Sequence, residues 1–156
     1  MQTLMENERG QIEVLEQTRK EIDSKAKKIS QLRQEQINIL QEKRDDYLGI
    51  MEWYVEQRLK FSHPKLKFYN SIGPILGYIE DTEEVIIYHV REKGFFAQEL
   101  NDSDRRKSSA REIIDTGNFE NAVIGFDYLL NMQNDNLKKV DEEIKRLEEE
   151  LKRVKG

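Results

Sequence analysis

The feature that most constrains this chain is a run of apolar positions toward its C-terminus. Phe119, Val123, Phe126, Leu130, Gln133, Leu137, Val140, Ile144, Leu147, Leu151 and Val154 follow one another at spacings that alternate between four and three residues. That alternation keeps all of these side chains on one stripe of an α-helix. Sustained over five heptads, with Gln133 as the one polar intruder, it is the pattern of a coiled-coil seam. The spacing predicts a helix that begins after Thr116 and Gly117, with Asn118 as N-cap and Glu120 in its first turn, and that runs to about Val154.

A seam needs a partner, and the N-terminal part of the chain offers one. Between residues 11 and 59 there is no proline and only one glycine, Gly49. Apolar residues recur there three or four apart, with Ile12, Ala26 and Leu40 in one seam position and Leu15, Ile22 and Ile29 in the other. Arg19, Arg33, Gln36 and Lys43 interrupt this seam, while Leu32, Ile37 and Ile39 lie beside it, so its apolar face broadens and drifts. At 1.5 Å per residue the first helix would reach about 75 Å and the last about 55 Å.

Residues 62–117 read differently. They hold the only strand chemistry: short β-branched and aromatic runs at 66–69, 75–79 and 85–90, with a polar turn at 80–83. A hairpin of 75–79 with 85–90 is predicted, with a fourth strand at 95–98 after the turn at Lys93 and Gly94. A short helix at 103–115, capped by Asp102 or Ser103, would follow, with Ala110, Ile113 and Ile114 as its apolar stripe. The predicted fold is therefore mainly α with a small α+β insertion: a long antiparallel coiled-coil hairpin carrying a β-hairpin-containing head. Its parts are a coiled-coil helix at 1–61, the head at 62–117 and a second coiled-coil helix at 118–156. The order helix, β-hairpin, helix resembles that of prefoldin subunits, whose coiled-coil arms hold non-native clients. The extra helix expected at 103–115 departs from that order, and the resemblance carries no functional residue to this chain.

Charge decides how the helices should pair. Asp141 and Glu148 on one flank of the last seam, and Glu143 and Glu150 on the other, are all acidic. A parallel homodimer through this seam alone would oppose like charges. Residues 19–44 of the first helix hold eight basic groups against four acidic ones and are the better partner. Val123, Leu130, Leu137, Val140, Ile144, Leu147 and Leu151 then form the stalk seam. The longer first helix leaves Ile12, Leu15 and Ile22 uncovered at its tip, where a homodimer contact is expected.

Composition removes other classes of function. The chain has no cysteine, which excludes thiol catalysis and thiolate metal sites, and with two histidines, His63 and His89, no histidine-rich metal site is expected. Neither phosphate-binding glycine fingerprint occurs, so no cofactor is expected and no catalytic residue can be nominated. The net charge of −5 is spread evenly over the three parts, which argues against nucleic acid. No signal-peptide core or run of about 20 apolar residues is present. A soluble, cytoplasmic protein that does not contact membrane is expected.

These readings converge on a non-enzymatic interaction protein, an adaptor, inhibitor or holdase-like scaffold, that binds a partner protein through its head. Lys65, Lys67, Arg91, Arg105, Arg106 and Lys107 are the candidate contact residues, beside a cluster of aromatic side chains. The alternative is a head that binds a small anionic ligand or single-stranded nucleic acid through the same residues. His63 and His89 are assigned structural roles, at a helix end and in a strand.

Overall fold

The computed structural model describes the backbone of residues 2–102 and 104–156, and the side chains of these from residue 5 onward. It is mainly helical with one small antiparallel sheet, and it divides into two units, residues 1–38 and 39–156. Helix α1 (Gln2–Asp46) supplies the whole of the first unit. Every described side chain from residue 5 to residue 35 is exposed, including Ile12, Leu15, Ile22 and Ile29.

The second unit contains the core. After a break at Tyr47, α2 (Leu48–Glu56) buries Met51 and Tyr54. A two-stranded ribbon follows, β1 (Phe61–Ser62) with β2 (Tyr69–Asn70). The main sheet is an antiparallel meander in the order β3 (Ile75–Ile79), β4 (Glu84–His89), β5 (Gly94–Glu99) and β6 (Arg105–Lys107). Then come α3 (Ala110–Asp115), α4 (Phe119–Asp127), a 3-10 turn at Tyr128–Leu130, and α5 (Met132–Lys155). β4, central in the sheet, is buried along its whole length, as a strand covered on both faces should be.

Several expectations need correction. The first helix is interrupted at Tyr47, whose hydroxyl donates to Asp127 at 2.8 Å beside an ion pair from Lys43 to the same carboxylate at 2.7 Å. Burial and Asp127 push the Tyr47 hydroxyl up to about 12. The 66–69 run forms only the two-residue β2. The basic segment at 105–107 is an edge strand, not a helix opening; Ser103 lies outside the described residues, and α3 is capped by Ser109, which accepts the Glu112 N–H at 3.1 Å. The last helix is also two helices, because the turn at Tyr128–Leu130 separates α4 from α5.

α4 belongs to the head. It lies so close to β3 that a Cβ at Gly125 would sit 2.1 Å from the Ile75 carbonyl oxygen, and one at Gly77 would sit 2.5 Å from Asn118. Asn118 occupies the N-cap position but makes no capping bond. Its side-chain amide instead accepts the Tyr78 N–H and donates to the Tyr78 carbonyl, both at 3.1 Å, and so satisfies the free edge of β3. Val123 is half-buried here, and Leu130 is exposed. On α5, Leu137, Val140, Ile144, Leu147 and Leu151 are exposed, from 45% at Leu147 to 60% at Leu137.

Candidate functional site

Strand alternation sorts the basic residues of the head. Arg105 pairs with Gln98 and Val85, and Lys107 with Phe96 and Ile87; these residues share one face of the sheet with His89. Arg106 points to the opposite face, where Glu84 lies two strands away. Its guanidinium donates to both Glu84 oxygens, at 2.8 and 3.0 Å, and to both Glu112 oxygens, at 2.9 and 3.0 Å. Glu84 is buried, and Arg106, then Thr82, hold its carboxyl below the usual range against the opposing effect of burial. Arg106 therefore ties edge strand β6 and α3 to the sheet centre and is not a free contact residue.

On the other face, Arg91 and Arg105 come together at one open cavity of about 310 Å³, lined also by Val55, Arg58, Ser71, Ile72 and His89. Arg58 reaches it from the end of α2, Ser71 and Ile72 from the segment after β2, and Arg91 from the β4–β5 turn. Among the described residues, none of these three arginines makes an ion pair or a side-chain hydrogen bond. His89 is nine-tenths buried and packs on Phe96 with ring centroids 5.5 Å apart. Its Nδ1 accepts the Glu92 N–H at 3.2 Å, so the neutral ring carries its proton on Nε2. Burial first, then Arg105 and Arg91, lower the His89 pKa, while the nearby Glu92 opposes them.

His63 has a different task. Its Nδ1 accepts the N–H groups of Lys65 and Leu66, at 3.0 and 3.1 Å, and its Nε2–H donates to the Asn121 carbonyl at 2.8 Å. It fastens the β1–β2 connection to α4. Lys65 and Lys67 are exposed beside it and do not line the arginine cavity. Of the aromatic cluster, Tyr54, Phe61, Tyr88 and Phe95 are core, while Trp53 and Tyr69 are exposed.

Arg58 is not singled out by the sequence, and His89 is given only a structural role in a strand. The signal for Arg58 was faint: the chain leaves a helix at Gln57 and Arg58 with no glycine to close it. Among the described residues no helix is long and apolar enough to cross a membrane, and no group of three or more His, Asp or Glu side chains is placed to hold a metal. Compared with protein families, curated proteins and solved structures, the chain matches none.

Proposed function

We propose that this chain is a non-enzymatic interaction protein that self-associates through its helical seams and presents its head to a partner protein, as an adaptor, inhibitor or holdase-like scaffold. The observation that carries the reading is the exposed stripe of Leu137, Val140, Ile144, Leu147 and Leu151 on α5, matched by the exposed Ile12, Leu15, Ile22 and Ile29 on α1. Two apolar stripes exposed in one chain are surfaces that water disfavours, at about 25 cal/mol per Å². Acidic flanks on α5 and the basic stretch at 19–44 make an antiparallel coiled coil between these helices the favourable pairing. The tip residues Ile12, Leu15 and Ile22 then set a dimer.

On the head, Lys65, Lys67, Arg91, Arg105 and Lys107 are exposed and suit an acidic partner protein. Arg106 is committed within the fold. Sedimentation equilibrium at micromolar concentration tests the assembly: a dimer mass is expected, and a shortened chain lacking residues 1–23 should lose it. A strict monomer for the intact protein would refute the self-association.

A further inference from the structure

The arginine cavity takes no part in the proposed self-association, although it shares Arg91 and Arg105 with the proposed partner surface, and two independent observations set it apart. First, Arg58, Arg91 and Arg105 converge on one cavity without a carboxylate on its wall. Glu52 and Glu56 line the adjoining 450 Å³ cavity, whose wall Arg58 and Arg91 share with Lys93. Three arginine side chains on the wall of one carboxylate-free cavity, none of them in an ion pair among the described residues, favour an anion there.

Second, Arg58 stands where a helix end ordinarily uses glycine. The Leu59 N–H bonds the Tyr54 carbonyl at 3.0 Å and the Arg58 N–H bonds the Val55 carbonyl at 3.1 Å, the pair of bonds that closes a helix with a left-handed residue. Arg58 is that residue, at φ 58°, a conformation that strains a side chain bearing a Cβ. Strain retained at the rim of a charged cavity points to a use for the side chain.

We infer that this cavity binds a small organic phosphate, a phosphomonoester whose phosphoryl group is held by Arg58, Arg91 and Arg105. The donor-bearing residues exceed what a carboxylate with two oxygens can use: three arginines, His89 and Ser71 line the space. A phosphomonoester presents three terminal oxygens and a charge of about −1.5 to −2. Val55 and Ile72 provide apolar wall for the organic part. The volume falls at the small end of the roughly 300–1,000 Å³ of ligand pockets.

Calorimetric titration of the full chain with glycerol 3-phosphate, with inorganic phosphate and acetate as comparison anions and a phosphoserine peptide as a fourth arm, tests the assignment. Saturable binding is expected in the order glycerol 3-phosphate, inorganic phosphate, acetate. Arg105→Ala should weaken it at least tenfold with unchanged melting. Arg58→Gly should weaken it as much while raising the melting temperature, because glycine relieves the left-handed position. Lys65→Ala with Lys67→Ala should leave affinity unchanged, and so should Leu137→Asp, which attacks the seam and separates this site from self-association. No saturable binding of glycerol 3-phosphate at low salt overturns the proposal, as does affinity untouched by Arg58→Gly and Arg105→Ala. Equal weakening in the lysine variant would mean diffuse charge attraction and also overturns it. Tighter binding of the phosphoserine peptide than of glycerol 3-phosphate overturns the small-molecule assignment in favour of a phosphoprotein.

Discussion

One heptad run in this chain meets two environments. Over α4 it contributes to a packed interior; over α5 the same spacing stands in water. The buried stripe of α4 coincides with the heptad stripe only at Phe126. It runs through Ala122, Gly125 and Phe126 of α4 and on to Leu129 in the 3-10 turn and Met132 at the start of α5, while the heptad positions Val123 and Leu130 are half-buried and exposed. The difference teaches that periodicity marks an apolar face, whereas what covers the face depends on how closely another backbone can approach. At Gly125 the approach is closest, and there the burying residue has no side chain at all.

That contrast is broken most severely at Gly125. Gly125→Val would drive a Cβ to 2.1 Å from the Ile75 carbonyl oxygen, a backbone atom that cannot step aside, so helix and strand must separate. A loss of about 3 kcal/mol in thermal or urea unfolding of the chain is expected. A comparable gain of bulk at an exposed α5 position should leave the fold of the chain untouched.

Arg106 comes next. Arg106→Met removes the partner of a buried carboxylate and should cost about 2 kcal/mol at neutral pH, the low side for a broken pair because Arg106 itself is half-exposed. The acid limb gives a further check. Glu84 has a lowered pKa, so its contribution is present above the ordinary value of 4.5 and is lost as pH falls through the folded value. His63 is also lowered, chiefly by burial, so stability begins to fall below 6.5 as the unfolded chain takes up the proton first. Unfolding measured against pH should show an upper step that Arg106→Met retains and a lower step that it abolishes.

The seam of α5 supplies the third comparison. Leu137→Asp and Ile144→Asp place charges on residues that are already exposed in the single chain, so its melting at low concentration should not change. In the proposed assembly each should cost about 2 kcal/mol of association, seen as loss of the concentration dependence of melting. Unaltered sedimentation of both variants would show that α5 is not the contact.

How much of this was legible in the sequence differs by region for the same physical reason. The hairpin of β3 and β4 was readable because β-branched runs flanked a polar turn, and the strand at 95–98 was found nearly at its bounds, Gly94–Glu99. The seam residues were readable as one stripe. The break at Tyr128–Leu130 was not, because no proline or glycine marks it and the heptad passes through it without a slip. The basic run at 105–107 reads in the sequence as a helix opening because its charges hide the alternation that sends Arg105 and Arg106 to opposite faces. Asn118 was read from its local capping preference, but its actual partner, Tyr78, is 40 residues away.

The smallest effect sits where the two environments join. Gln133 is the one polar residue of the heptad, and its Nε2 is buried without a hydrogen bond. The neighbouring Tyr54 hydroxyl is committed as a donor to the Leu129 carbonyl at 2.6 Å. A buried donor left unpaired costs about 1–3 kcal/mol, and because Gln133 is only partly buried and its side chain also interacts with the Tyr54 hydroxyl, Gln133→Leu should stabilise the chain by no more than about 1 kcal/mol. Concentration dependence then assigns the residue to one side or the other. If Gln133 belongs to the head, the rise in melting temperature is the same at every protein concentration and Gln133→Met, which keeps the unbranched shape, reproduces it. If it belongs to the seam, the gain grows with concentration and disappears in the Leu137→Asp background, because the added methyl groups then meet another helix instead of Tyr54.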